Sequence, residues 1–195
     1  MARKQQKKID NWKEKKWYTI KAPSFLNGFV IGQTITSDPS LLIDRIVETT
    51  VGEMINDPSK NNIKMLFKII KVNENIAETI FIGHTLTNDY LRSMIKRQTS
   101  KIDAILTIKT MDNYTITIKP TCFTSKRACA SKIKGIRSTM IQVISDKSSK
   151  TNFEDFIQEI INGKLSSLIY KHTKNIYSMR RVEIKKTEIK YIKNE

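Results

Sequence analysis

The sequence predicts an α+β fold, on three observations. Runs rich in β-branched and aromatic residues crowd the first 120 positions, helical spacing of apolar residues takes over from about 128 to 176, and the chain closes on an alternating run. The order is strands, helix, hairpin, helices, strand, which is not the regular βαβ alternation of a parallel sheet. No repeat with a period of 20–50 residues is visible. A chain of 195 residues, 39% hydrophobic and 28% charged, suits one domain or two small ones, with roughly 70% of the unfolded surface buried on folding. Residues 1–16 read as a flexible basic arm and residues 17–195 as a single domain.

The arm is rich in lysine and buries too little apolar surface to offset ordering. "WYTIKAP" (17–23) is a short strand stopped by Pro23, since the residue before proline is pushed toward extended conformations. "NGFVIGQTIT" (27–36) is a turn followed by a β-rich run, and "LLIDRIVETTV" (41–51) is a strand candidate between "DPS" and "NDPS". "NIKMLFKIIKV" and "NIAETIFIGH" form a hairpin around Asn73, Glu74 and Asn75. "KIDAILTIKT" and "YTITIKP" form a second, whose turn "MDN" supplies residues that tolerate the left-handed conformation.

The first good helix is "TNDYLRSMIKRQ". Thr87 is its N-cap candidate, Asp89 suits the first-turn dipole, and Leu86 with Leu91 fits a hydrophobic staple. Leu91, Met94, Ile95 and Gln98 make one stripe, leaving Arg92 and Lys96 together on the outer face. A second helix covers about 128–145, with Ile133, Ile136, Met140 and Ile144 at helical spacing around an unfavourable Gly135. A third starts at "TNFE", a capping box from Thr151 to Glu154, and stops at Asn162–Gly163. Residues 164–176 are a candidate fourth. "RRVEIKKTEIKYI" alternates like an exposed strand.

Charge is the unusual property. The chain holds 35 Lys plus Arg against 19 Asp plus Glu, a formal net of +16. Eight basic and two acidic residues fall in 1–21, seven and one in 126–150, eight and three in 171–195, while 38–90 holds five against eight. Basic ends and one basic internal segment around a near-neutral middle point to a polyanion partner. The cations concerned are Arg3, Lys4, Lys7, Lys8, Lys13, Lys15, Lys16 and Lys21, then Lys126, Arg127, Lys132, Lys134 and Arg137 of "TSKRACASKIKGIR", then Arg180, Arg181, Lys185 and Lys186 of "MRRVEIKK". Phosphate contacts accumulate one cation at a time, and aromatic faces can stack on unpaired bases. Trp12 and Trp17 stand among the arm's lysines. Trp17 is expected to anchor the arm to the core, and Trp12 to meet a base, a neighbouring protein or its own surface.

Nothing suggests catalysis. GxGxxG, GxxxxGK[ST], HExxH and GxSxG are all missing. His84 and His172 have no acid or nucleophile at useful spacing, and the pairs Asp44/Glu48 and Glu154/Asp155 have structural explanations. Cys122 and Cys129 match neither a redox motif nor zinc spacing and read as two buried free thiols. No catalytic residue, metal or cofactor is expected. No apolar h-region or span-length run is present, so the reading is a soluble, cytoplasmic protein without a membrane partner. An interfacial helix would need an apolar face that the basic segments lack.

"KKWYTIKAPSFLN" with "IGQTIT", then "HTLTNDYLRSMIKRQTSKIDAILTIKTMDNY" and "CFTSKR", resembles the archaeal and eukaryotic small-subunit ribosomal protein family S3Ae in its shorter, archaeal form. The elements WYxxKAP, LTxDxxxSMI(K/R)R and FTxKR occur in order at fitting separations. The resemblance covers about residues 10–145 and continues more weakly to the end. Eukaryotic members carry a tryptophan where this chain has Gln98. The resemblance implies a β-barrel-like or strongly curved mixed sheet packed with three to four helices, plus the basic N-terminal arm. It implies a structural, rRNA-binding constituent of the small ribosomal subunit, on the platform near the mRNA exit and the rRNA 3′ end. Its expected partners are small-subunit rRNA and neighbouring ribosomal proteins, with mRNA and initiation factors as further candidates. It sets Lys15, Lys16, Trp17, Lys21, Lys126 and Arg127 against RNA or at its margin, and Arg92, Lys96 and Arg97 complete the candidate set. A free-standing RNA-binding assembly or regulatory factor is the alternative to the ribosomal role.

Overall fold

In the computed structural model, which describes residue 12 and residues 15–191, the strand before Pro23 ends two residues short of it: β1 spans Lys16–Lys21. It pairs antiparallel with β2 (Val30–Thr36), with Trp17 opposite Ile35 and Ile20 opposite Gly32. Asn27 and Gly28, at φ 61° and 58°, turn the chain between them. Alternation then decides the faces: Tyr18 and Ile20 are buried while Trp17 and Lys21 point outward. These residues belong to the first of two compact units, 1–48 with 67–81. Its core is Tyr18, Ile20, Leu42, Ile69 and Ala77.

The run 41–51 is not the single strand its composition suggests. It divides into a 3-10 turn (Pro39–Leu42), β3 (Ile46–Thr50) and α1 (Val51–Ile55). Pro39 presets the turn that buries Leu42, and Asp44 reverses the chain at φ 68°. Thr50 starts the helix with a reciprocal capping box: its Oγ1 accepts from the Glu53 amide at 3.2 Å and Glu53 Oε2 accepts from the Thr50 amide at 3.3 Å.

The second unit is 49–66 with 82–195. The hairpin strands β4 (Ile63–Asn73) and β5 (Ile76–Leu86) contribute residues to both units. The second unit adds α2 (Asn88–Met94), β6 (Lys101–Asp103), β7 (Leu106–Lys109), β8 (Thr115–Thr124), α3 (Ala130–Ser148), α4 (Phe153–Ile161), α5 (Lys164–Lys174) and β9 (Met179–Tyr191). Strand order is β2-β1-β5-β9-β8-β6, with β3 on β4, β4 on β5 and β7 on β8. The β1–β5 pair is parallel and the β5–β9 and β8–β9 pairs antiparallel. The fold is thus α+β with a mixed sheet and helices, as expected, and among the described residues the sheet is open rather than closed into a barrel. The fifth helix is the short α1. No described helix is long and apolar enough to cross a membrane.

Three details depart from the sequence reading. β8 continues through Pro120 to Thr124. A proline has no N–H for an interior ladder, and the register with β9 slips between Lys119 and Pro120, opposite Lys185. The buried positions of β9 accordingly change parity, Val182 and Ile184 before the slip and Thr187 after it. β9 is therefore no exposed strand, because β5 and β8 flank it. α2 stops at Met94, so Leu91 and Met94 are buried but Ile95 and Gln98 are exposed, and Lys96 lies beyond the helix. Finally, α4 is capped one residue later than expected, at Asn152. Thr151 donates instead to the Lys147 carbonyl at 3.0 Å, and Asp112 Oδ2 accepts from the Phe153 amide at 2.9 Å.

Candidate nucleic-acid interface

The exposed cations of the second unit gather around a loop whose backbone is held on every side. Thr124 closes β8. Its Oγ1 accepts from the Ser100 amide at 2.8 Å and lies 2.7 Å from the Lys126 carbonyl. Ser100 Oγ accepts from the Ala128 amide at 3.1 Å, the Ser125 amide reaches the Ser178 carbonyl at 3.1 Å, and the Tyr177 hydroxyl donates to the Arg127 carbonyl at 3.1 Å. The loop is fixed at four consecutive residues while the Lys126 and Arg127 side chains stay exposed with no carboxylate partner among the described residues. α3 follows at once and carries Lys132 and Lys134, also exposed. Arg137 Nε donates to the Asp103 carbonyl at 3.1 Å, which sets its plane without neutralising it.

A second tie links β9 to the end of α2: Arg180 donates to the Met94 carbonyl at 3.4 Å. Arg92, Lys96 and Arg97 are exposed there. Arg181 is held by Glu183 at 2.8 Å and lies 6.0 Å from the Tyr90 ring, whose hydroxyl also donates to Glu183 at 3.1 Å. That carboxylate raises the Arg181 pKa, and burial raises that of Tyr90. Lys186 pairs with Glu188, and Lys185 is half-buried at the β-slip, so neither presents as exposed and unpaired a charge as Lys126 or Arg127.

In the first unit Lys16, Trp17 and Lys21 are exposed on β1, and Lys15 Nζ sits 4.7 Å above the Trp12 ring. Trp17 is 60% exposed, against the expectation that it anchors the arm to the core. Tyr18 performs that anchoring at 2% exposure. Trp12 is exposed as well. Arg3, Lys4, Lys7, Lys8 and Lys13 lie outside the described residues. Sequence reasoning also missed Lys171 and Lys174, exposed in the last turn of α5, although their spacing within a basic segment marked them.

Two titratable groups that could have suggested chemistry, His84 and Cys122, are structural. His84 is buried. Its Nε2 faces the Ile184 carbonyl at 3.1 Å and must carry the proton, so Nδ1 accepts from Thr187 Oγ1 at 2.7 Å. Burial lowers its pKa to about 4. Cys122 is buried against Met140, with its thiol pushed up to about 12 by burial and then by Asp103. Cys129, expected to be buried, is exposed at the N-cap of α3, and its hydrogen bond with Ser131 lowers its pKa.

The profile of the Ribosomal S3Ae family matches residues 3–192. This chain belongs to the Ribosomal S3Ae family. It is 46% identical over 189 residues to the small ribosomal subunit protein eS1 of Methanothrix thermoacetophila, covering 97% of this chain and 90% of that one. It is 44% identical to eS1 of Natronomonas pharaonis over 90% of this chain and 85% of that one. Against eS1 of Methanoculleus marisnigri identity is 38% over 98% of each. As an S3Ae member the chain is a ribosomal protein, structural rather than enzymatic.

Proposed function

We propose that the chain is a constituent of the small ribosomal subunit in the cytoplasm, binding rRNA through Lys and Arg contacts to phosphates. One observation carries the reading of how it binds: among the described residues Lys126 and Arg127 have no carboxylate partner, and they stand on a loop with a backbone hydrogen bond at each of residues 125–128. Preformed cations lose little freedom when a phosphate arrives, and each contact releases counterions. The relatives are named for the small subunit, and the S3Ae likeness supports a seat on the platform near the mRNA exit and the rRNA 3′ end. Neighbouring ribosomal proteins flank it there, with mRNA and initiation factors within reach. The basic segment 1–16 serves as an extension embedded in rRNA.

Two measurements test this. The purified protein binds rRNA fragments with a steep negative dependence on salt. After gentle lysis it sediments with intact small subunits, one copy each; recovery in low-density or substoichiometric fractions would instead indicate a free-standing RNA-binding factor.

A further inference from the structure

We propose that the free edge of β2 takes on an added β-strand from a neighbouring protein of the small subunit, an uncharged extended segment that sets a large apolar side chain over Gly32. The proposal rests on the subunit reading above and names one of its protein contacts. β2 pairs with β1 and with no other described strand, so its far side is an edge of the sheet. The Thr19 amide donates across to the Asn75 carbonyl at 2.8 Å, so Thr19 turns its backbone away from β2. Gln33 and Ile35, opposite Thr19 and Trp17 in the register, therefore turn their N–H and C=O groups to the open side. Neither backbone finds a partner there among the described residues. Arg45 reaches β2 at 2.6 Å, at the Thr34 hydroxyl rather than at the edge backbone.

Sheet edges are ordinarily protected by charge, proline or brevity, because unpaired backbone groups template another strand. The other described edge strands carry that protection: β3 has five residues and Glu48, β6 three with Lys101 and Asp103, and β7 four with Lys109. β2 has seven residues, VIGQTIT, with neither charge nor proline. It lies within residues 22–37, the longest stretch of the sequence without Asp, Glu, Lys or Arg, in a chain that is 28% charged. A phosphate backbone finds no cation on that strand. A polypeptide needs none, because ladder hydrogen bonds join neutral groups. Gly32 supplies an independent sign. A glycine inside a strand weakens it and marks a bend or a close approach by another chain or ligand. Gly32 does not adopt the left-handed conformation, and a Cβ placed on it would meet nothing within 4 Å. Gly83 is the contrast, with the Thr187 carbonyl oxygen 2.2 Å from its added Cβ. The described residues thus leave the space over Gly32 open beside the unpaired edge. A large side chain on an added strand covers an edge glycine in that position.

The test uses small subunits purified from cells that express the full chain. With Gln33 replaced by the photo-cross-linker p-benzoylphenylalanine, irradiation joins the chain to one other protein, at an extended segment of it. In hydrogen exchange the Gln33 and Ile35 amides are at least about tenfold slower in the subunit than in the free chain, whereas the Thr34 amide, already bonded to β1, changes little. Gly32→Val has room in the free chain and does not lower its thermal midpoint, yet it cuts the cross-link yield by about tenfold, the effect of one packed contact. Gln33→Pro, which deletes an outward N–H and no bond to β1, is the second variant and abolishes the slowing at Ile35. A cross-link to rRNA, to a second copy, to the chain's own N-terminal segment or to nothing overturns the proposal. So does equal exchange in the free and assembled protein, or yield and exchange that neither variant alters. In each of those cases the subunit reading stands; if the chain does not sediment with small subunits at all, both fall.

Discussion

Gly83 and His84 sit side by side on β5 and meet the same residue of β9 for opposite reasons. A Cβ on Gly83 would stand 2.2 Å from the Thr187 carbonyl oxygen, which is backbone and cannot step aside. Gly83→Ala is therefore expected to lower stability by at least about 2 kcal/mol, read from the urea midpoint at unchanged m. His84 needs Thr187 as its partner and stays neutral. Its folded pKa, about 4, lies below its ordinary 6.5. The unfolded chain therefore takes up the proton first as pH falls. Stability is unaffected above pH 6.5 and declines between 6.5 and 4, by about 3 kcal/mol in all. His84→Gln should flatten the difference between denaturation midpoints at about pH 7 and about pH 5; an unchanged difference would assign that pH dependence elsewhere.

Elements place the cations, and at the loop that carries Lys126 and Arg127 they do so by hydrogen bonds between uncharged groups. Thr124 at the end of β8 ties the Ser100 amide and reaches the Lys126 carbonyl. Thr124→Val removes both while leaving every cation in place. The expected cost is about 1–3 kcal/mol, with faster amide exchange across 125–128. RNA affinity should drop at a constant salt slope, because preorganisation is lost but not charge. A changed slope would mean that the loop's hydrogen bonds govern which cations engage. The capping box of α1 offers a simpler case: Thr50→Ala should cost about 1 kcal/mol with no effect on RNA binding.

For the whole molecule the governing quantity is the net charge of +16. Of the described candidate cations only Arg181 and Lys186 are neutralised by ion pairs. The remainder form a surplus that an RNA framework can absorb. Lys126→Ala with Arg127→Ala should leave the thermal midpoint nearly unchanged and reduce the salt slope by about one per lost phosphate contact. An unchanged slope in gel-shift or fluorescence titrations removes these residues from the RNA face.

Hydrophobic spacing, turn residues and charge are local properties, and they made β1, the β4–β5 and β7–β8 hairpins, the α3–α5 succession and the basic clusters legible in the chain. The resemblance to S3Ae was carried by contiguous motifs, and the family profile matches the chain from residue 3 to 192. What depends on distant partners was not legible. Trp17 and Tyr18 are adjacent aromatics, and only pairing with β2 determines that the tyrosine turns inward. β9 alternates like a surface strand, yet β5 and β8 enclose it and Pro120 shifts its register. Arg180 reaches the Met94 carbonyl across 86 positions that no spacing rule connects. A chain encodes the periodicity of its own segments, whereas burial, register and the meeting of cations are decided by which other segments it packs against.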